Sequence, residues 1–416
     1  MKSLQLLDNV EEWVEGIPDG WVRVQLKHVA TKLDRPVEPK HEIVICTNKG
    51  TVIPRGDNNP GLVSLSGAGY QGVKPGDLLI HGMDTWHGAI AVSQIEGQCT
   101  SVVHVCDSSQ EKRFLAYYLR ALAFRAVYKA FSNGVRQNTS DFRSWAKAGE
   151  IPVILPPLDE QRRIADFLDE KCAEIDRAVS AAERSIEEYK AHKNSIVNQI
   201  ITKGLNSDVP MKDSGVEWLG EVPAEWALRQ AGQLADQTKV PNEGMIETNL
   251  LSLSYGKVKR RDINATDGLL PASFETYNVI EPNDIVLRFT DLQNDQKSLR
   301  VGRATERGII TSAYVAVRPL NPSYSRFMYY ALHAYDLRKG FYGMGAGVRQ
   351  GLKWQEAKYI KLPWPGDVER DRIADFLDEK CDEIDDAIAA KWAIITDLKS
   401  YKKSLIYEIA TGKREV

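Results

Sequence analysis

The ten residues RIADFLDEKC stand at Arg163 to Cys172 and recur unchanged at Arg372 to Cys381. The two copies lie 209 residues apart, and the same register continues without a gap through Ile175 on Ile384, Asp176 on Asp385, Ser195 on Ser404 and Thr202 on Thr411. An ungapped match of about 45 residues is the signature of a long helix, since one inserted residue would rotate its apolar face by about 100°. In the first copy Ile164, Leu168, Ile175, Val179, Ala182, Ile186, Tyr189, Ile196 and Ile200 keep alternating steps of three and four, with Lys171 and Lys193 in the two unfilled places. The second copy gives Ile373, Leu377, Ile384, Ile388, Ile395, Leu398, Leu405 and Ile409. Heptad spacing of this kind makes a narrow seam that packs against one partner helix. Prolines upstream (Pro156 and Pro157; Pro363 and Pro365) and glycines at the far end (Gly204; Gly412) mark where each helix starts and stops. At about 1.5 Å per residue each helix is on the order of 65 Å long.

The repeat continues outside the helices with a drifting offset. Glu12, Trp13, Pro18 and Trp21 match Glu217, Trp218, Pro223 and Trp226, while Gly50, Val52 and Arg55 match Gly256, Val258 and Arg261. Tyr70, Pro75 and Asp77 match Tyr277, Pro282 and Asp284, and the run GVRQ at Gly134 to Gln137 returns at Gly347 to Gln350. Insertions therefore fall inside the globular parts, where loops tolerate them. The stretches GDLLIHG, TSVVHVC, NDIVLRF and TSAYVAV read as strands bounded by turn residues, with helices expected from Lys112 to Phe131 and from Tyr324 to Lys339. The expected fold class is α+β, with two similar mixed domains alternating with two long helices that pair as an antiparallel coiled coil in a pseudo-two-fold internal repeat. The boundaries that follow are a first domain over 1–155, a spacer helix over 156–206, a second domain over 207–362 and a second helix over 363–416. In an antiparallel pair Cys172 and Cys381, each near the start of its helix, lie far apart.

A chain of 416 residues with 43% hydrophobic and 27% charged side chains is long enough for two cores and ordinary for a globular protein. No run approaches 18 apolar residues and the first residues, MKSLQLLDNVEEW, lack the features of a secretory signal, so a cytoplasmic protein is expected. Five cysteines without a CxxC pair offer neither a disulfide framework nor zinc spacing. The net charge of −3 is unevenly spread: 17 basic against 16 acidic side chains over 1–155, 8 against 10 over 156–206, 20 against 18 over 207–362 and 9 against 13 over 363–416. The acidic excess sits in the helices, so net charge does not exclude DNA, but it argues that isolated binding is weak and salt-sensitive.

Several motifs invite a catalytic reading and fail it. GAGYQG at Gly67 to Gly72 fits GxGxxG, yet it is followed by the turn residues VKPGD instead of a helix that would hold a pyrophosphate. NPSY at Asn321 to Tyr324 resembles the motif with which adenine methyltransferases hold a flipped base, but it lacks the second proline and reads as a helix-start turn. Asp295 to Lys297 resembles the tail of a nuclease motif, but its upstream Pro282-Asn283-Asp284 matches Pro75-Gly76-Asp77, a turn before a strand. The histidines show no metal spacing, and neither a GxSxG elbow nor a Walker lysine occurs. No catalytic site and no metal site are assigned.

What remains is basic and polar. SYGKVKRRD at Ser254 to Asp262 supplies Lys257, Lys259, Arg260 and Arg261, and its counterpart supplies Arg55 and Asn58. The GVRQ region supplies Arg136, Gln137, Arg143 and Lys147, and its partner Arg349, Gln350 and Lys353. Arginine and glutamine reach base edges bidentately, so these are candidate DNA-binding residues; the bland alternative is a solvated loop or a packing motif. A GVRQ present in both halves suits shared structure or a phosphate better than a base that differs between half-sites.

Two variable domains alternating with two near-identical helices, with IPVILPPLDEQRRIADFLDEK at the first junction, resemble the specificity subunit of type I restriction-modification systems over essentially the whole chain. The second junction, PWPGDVERDRIADFLDEK, departs from the family pattern with Glu369-Arg370 in place of Glu-Gln, which puts a partner contact in question. The resemblance implies that each domain reads one half of a bipartite double-stranded DNA target. The helices space the domains and bind two methyltransferase subunits, and two translocating restriction subunits can join them. S-adenosylmethionine then belongs to the methyltransferase subunits and no cofactor to this chain. Domains related by paired antiparallel helices meet sites about 34 Å apart along one side of a duplex, with helix length setting the gap.

A seam requires apolar spacing, not identical outer residues. Asp166, Asp169 and Glu170, with their copies Asp375, Asp378 and Glu379, are therefore expected to dock two identical partners, against the alternative of a solvated helix start whose acids favour the dipole. The competing function is a self-sufficient methyltransferase or nuclease; a purely structural adaptor leaves two domains of about 150 residues without a use.

Overall fold

The computed structural model describes residues 16–38, 40–56, 69–128, 140–264, 270–271, 273–292, 295, 297–344 and 351–416. The chain divides into two compact units, Met1–Glu183 with Trp392–Val416 (unit 1) and Arg184–Lys391 (unit 2).

In unit 1 the order is β1 (Val22–Gln25), β2 (Thr31–Lys32), β3 (Val44–Cys46), β4 (Val52–Pro54), β5 (Gln71–Val73), β6 (Leu78–His81), β7 (Ile90–Val92), β8 (Gly97–Cys99), β9 (Val103–Asp107), α1 (Lys112–Phe124), α2 (Trp145–Ala148) and β10 (Pro152–Leu155). The long helix α3 (Leu158–Lys203) follows. Four strands form an antiparallel sheet in the order β2-β9-β6-β7, with Leu79 opposite Val105 and Ala91. Three two-stranded pairs, β1-β10, β3-β4 and β5-β8, complete the strands. Leu78, Leu79 and Ile80 of β6 are all fully buried, which is why GDLLIHG reads as a continuous apolar run and not as an alternation. Helix α1 lies on β6 and β7 with Phe114, Leu115, Tyr118 and Leu119 buried. Leu79 points the other way, into a cluster with Val44, Val73, Cys99 and Val105.

Unit 2 repeats this plan. After a hairpin of β11 (Met211–Asp213) and β12 (Glu221–Pro223) come β13 (Ala227–Gln230), β14 (Ala235–Thr238), β15 (Leu251–Ser254), β16 (Lys257–Arg260), β17 (Asn278–Ile280), β18 (Ile285–Leu287), β19 (Val301–Arg303), β20 (Gly308–Ile310) and β21 (Val315–Pro319). Helices α4 (Ser325–Leu337) and α5 (Trp354–Ala357), strand β22 (Lys361–Trp364) and the long helix α6 (Asp367–Ala410) complete it. The sheet β14-β21-β18-β19 and the pairs β13-β22, β15-β16 and β17-β20 correspond one for one to those of unit 1. Val286 faces Leu251, Leu253, Ile280 and Ile310, while Ile285 and Leu287 join Phe327 and Met328 of α4 in the main core.

Both domain helices end earlier than expected, and at the same place in the repeat. Ala126 (φ 55°) and Lys339 (φ 62°) adopt left-handed backbone, which a continuing helix excludes. Asn321 accepts from Ser323 N–H at 3.0 Å with Pro322 at the first helical position, so NPSY is a helix start. Of GAGYQG, the described part runs into strand β5 and not into a helix. Asp295 is a turn residue: its carboxylate accepts from Lys297 and Ser298 N–H. The Ser298 hydroxyl first, and then, against burial, these N–H bonds and the Arg288 charge lower its pKa to about 2.

The long helices run in opposite directions within each unit. In unit 1 Lys402 Nζ meets both carboxylate oxygens of Asp176 at 2.7 Å and Lys399 meets Glu183 at 3.3 Å, so α6 descends as α3 ascends. In unit 2 Lys193 Nζ meets Asp385 at 2.7 Å. Lys193 and Lys402 are equivalent across the repeat, as are Asp176 and Asp385, so one kind of ion pair closes the seam in both units. This accounts for Lys193 in one of the two unfilled heptad places; Lys171 in the other pairs with Glu174 on its own helix at 3.0 Å. Ile164, Leu168, Ile175, Val179, Ala182, Ile186 and Ile200 of α3 are buried as the spacing predicts. Toward its end Val197 and Ile201 are buried as well, because that part of α3 also enters the unit 2 core.

Candidate nucleic-acid interface and helix clamps

The basic hairpin β15-β16 turns through Tyr255 (φ 48°) and Gly256 (φ 77°), the pair of left-handed residues that a tight two-residue hairpin demands. Its register puts Lys257 and Lys259 on one face, while Val258 packs against the cluster of Leu251 and Leu253. Most of the positive charge is already engaged. Lys257 Nζ lies 2.5 Å from Asp385, Arg260 makes bidentate contacts with Glu306 at 2.5 to 2.9 Å, and Arg261 also has a partner within the chain. Lys259 makes no ion pair among the described residues. With Lys193, Lys257, Arg303, His333 and Asp385 it lines a cavity of about 380 Å³. Exposed ion pairs contribute little, so an arriving phosphate can exchange with Glu306 at modest cost.

In unit 1 Arg55 is half-buried, donates its backbone N–H to Ile43 at 2.8 Å and is engaged further within the chain. Arg143 is exposed; Lys147 is paired with Asp141 at 2.8 Å. Lys353 has an exposed side chain and opens α5, its N–H donated to Glu356 at 2.9 Å. Asn58, Arg136, Gln137, Arg349 and Gln350 lie outside the described residues. The residues that follow each GVRQ run bond to the chain just beyond the central strand: Ser140 N–H donates to Met83 O at 2.8 Å and Leu352 N–H to Phe289 O at 3.2 Å. A shared backbone connection is one reason for a motif to persist in both halves.

The helix acids have partners that the sequence reading missed. Arg113 Nη1 of α1 donates to Asp166 Oδ1 and Asp169 Oδ2, both at 2.8 Å, and the Tyr117 hydroxyl donates to Asp169 Oδ1 at 2.7 Å. In unit 2 Arg326 meets Asp375 at 2.8 Å and Asp378 at 2.7 Å, and the Tyr330 hydroxyl donates to Asp378 at 2.6 Å. Burial, then Cys172 and Asp169, raise the Tyr117 pKa; burial, then Cys381 and Asp378, raise that of Tyr330. Both phenols therefore remain O–H donors. The signal was present in the sequence: Arg113 and Tyr117 stand to Arg326 and Tyr330 at the same offset of 213 residues as the two GVRQ runs. Asp166 and Asp375 keep 69% and 70% side-chain exposure, and Glu170 and Glu379 point to solvent, so four carboxylates of the set still face outward.

The departure at Glu369-Arg370 is internal. Gln161 in the first copy is 1% exposed; it accepts from Glu111 N–H at 3.1 Å and donates to Gln110 and Pro156 O. Arg370 occupies the equivalent place, also 1% exposed, lying 4.9 Å from the Tyr324 ring centre and 4.8 Å from that of Trp364, with Asp367 at 2.9 Å. Two aromatic faces hold a cation where the first copy holds an amide network. Glu369 accepts from Trp226 Nε1 at 3.0 Å.

Among the described residues no helix is long and apolar enough to cross a membrane, and no group of three or more His, Cys, Asp or Glu side chains could hold a metal ion. No protein-family model matches the chain. It is 22% identical over 312 residues to the provisionally named type I restriction enzyme MjaX specificity subunit of Methanocaldococcus jannaschii, covering 74% of this chain and 69% of that one. A shorter match, 28% over 86 residues, joins it to the type I restriction enzyme MjaVIII specificity subunit of the same organism, covering 21% of this chain and 19% of that one. A solved chain from work on complex assembly and conformational transition of the type I R-M system superposes with a TM-score of 0.67 at 16% identity, over 96% of this chain and 99% of that one. This chain is thus similar in sequence to a type I restriction enzyme specificity subunit over 74% of its length, and similar in fold over 96% of it to a chain solved in work on the type I R-M system.

Proposed function

We propose that the chain is the sequence-specific DNA-recognition subunit of a type I restriction-modification complex and carries no activity of its own. Residues 1–155 and 207–362 each read one half of a bipartite site in double-stranded DNA, and the helices hold the two domains and dock two methyltransferase subunits. The observation that carries this reading is the repeat itself: two domains of matching strand order, with different surface residues, each seated by the same contacts on a helix that opens with the same ten residues. Divergent surfaces on a shared frame suit a molecule that reads two different short sequences. Arg55, Asn58, Arg136, Gln137, Arg143 and Lys147 in the first domain, and Lys257, Lys259, Arg260, Arg261, Arg349, Gln350 and Lys353 in the second, supply phosphate and base contacts.

Glu170 and Glu379, with the outward oxygens of Asp166 and Asp375, face the methyltransferase subunits; Asp169 and Asp378 stand beside them, held by Arg113 and Tyr117 and by Arg326 and Tyr330. S-adenosylmethionine is held by those subunits, and the assembly, in the cytoplasm, is one that restriction subunits can join. The test is methylome sequencing of the host with and without the gene. Loss of one split adenine-methylated motif is expected, and an unchanged methylome overturns the reading. Purified chain incubated with DNA and labelled S-adenosylmethionine is expected to transfer nothing until methyltransferase subunits are added; transfer by the chain alone favours the enzyme alternative.

A further inference from the structure

Resting on that reading, we propose that Arg113 with Tyr117, and Arg326 with Tyr330, are positioning residues that fix the angle at which each recognition domain stands on its helix, and so fix the gap between half-sites that the chain accepts. Each arginine bridges two carboxylates three residues apart, Asp166 and Asp169 or Asp375 and Asp378, so the guanidinium cannot slide along the helix without losing one of them. The tyrosine one turn further along α1 or α4 takes the remaining oxygen of the second aspartate, which fixes rotation about the arginine contact.

The covalent connection from domain to helix is short, through Pro156-Pro157 or Pro365-Gly366. Alone it would act as a hinge. Asp169 lies 11 residues beyond Leu158, about 16 Å along the helix axis, so the clamp works as a strut at a distance from that hinge. Stability alone does not account for the arrangement, because ion pairs whose side chains keep 34% to 70% exposure add little to it, and in unit 2 Ile373 and Leu377 of the long helix already join the domain core beside Phe327. Retention of the same two donors and two acceptors in both units, while most surrounding residues of α1 and α4 differ, points to geometry as what is kept.

A gap differing by one base pair moves a half-site by about 3.4 Å along the duplex and turns it by about 34° around it, so the angle at which each domain stands decides whether both half-sites are met. The experiment uses the chain assembled with its methyltransferase subunits and duplexes carrying the methylome-derived site with its native gap, or with a gap one base pair longer or shorter. The unaltered complex is expected to prefer the native gap by about tenfold or more, the scale of one lost base contact. The pair R113Q and R326Q is expected to reduce that preference at least threefold, with binding to the native duplex reduced much less. Lysine at both positions, which reaches one carboxylate at a time, is expected to fall between. Y117F and Y330F together remove only the hydroxyls and serve if the arginine variants do not fold. A gap preference unchanged in a folded variant overturns the proposal. Absence of a gap preference in the unaltered complex overturns the recognition reading first, and this proposal with it.

Discussion

Replacing Asp336 with asparagine should make unit 2 sensitive to acid, because that carboxyl offsets a neighbour on the same helix. His333 is 4% exposed; burial, then Lys193, lower its pKa to about 4 from an ordinary 6.5, with Asp385 pulling the other way. Asp336 is 2% exposed; burial raises its pKa to about 6 from an ordinary 3.8 against the Arg300 N–H bond and the charges of Arg300 and Lys339. The signs are opposite. A histidine with a lowered folded pKa contributes stability that is complete above pH 6.5 and lost as the pH falls toward 4. An aspartate with a raised folded pKa penalises the fold above pH 6, and the penalty lifts as the carboxyl protonates on the way down to 3.8.

Between pH 7 and pH 4.5 linkage gives a loss of about 2 kcal/mol from His333 and a gain of about 2 kcal/mol from Asp336, so the native helix barely registers either. Urea unfolding of the whole chain, the D336N variant and the H333Q variant at both pH values tests this, with the transition that moves in the variants reporting unit 2. Relative to the native chain, D336N is expected to lose about 2 kcal/mol more at pH 4.5 than at pH 7, and H333Q to gain about as much. Differences that stay constant with pH would refute the reasoning, whatever their size.

Charge reversal at the outward acids, E170K with E379K, should weaken pull-down of methyltransferase subunits several-fold; an unchanged pull-down retires their docking role. Gly204 and Gly412 end the long helices at φ 75° and 70°, so alanine at either is strained by about 1 kcal/mol. At Gly412 the added carbon would also sit 2.4 Å from Pro18 Cγ and 3.1 Å from the Trp21 ring, whereas at Gly204 the nearest atom is the Trp226 ring at 3.1 Å. Thermal unfolding should therefore rank G412A as the more damaging change, and the reverse order would count against the packing described. All five cysteines are buried, and burial raises Cys99 and Cys106 to about 12, so Ellman's reagent should find almost no thiol in the native chain and five after denaturation.

The long helices were legible because their pattern is local: Ile164, Leu168, Ile175 and their successors declare a seam without reference to anything else, and the prolines and glycines around them fall where the helices stop. The strands around GDLLIHG and NDIVLRF were equally plain, since turn residues frame a short apolar run. Pairing order was not, because β2 reaching β9 and β14 reaching β21 depends on contacts dozens of residues apart. The basic hairpin was visible as composition, but Glu306 and Asp385, which occupy its cations, are remote in sequence. The clamp stood between these cases. Arg113 and Tyr117 were readable as a repeat, yet nothing local says that an arginine on one helix will answer an aspartate on another.

That correspondence bears on how such a chain changes over generations. A domain needs an arginine and a tyrosine one turn apart on its last long helix to sit correctly, and beyond these and a few core residues such as Phe114 and Phe327 the copies have drifted, as Arg120 in one domain and His333 at the same place in the other illustrate. The helix acts as a standard socket, and a head brought in from another gene by recombination would arrive already aligned if it carried the matching plug.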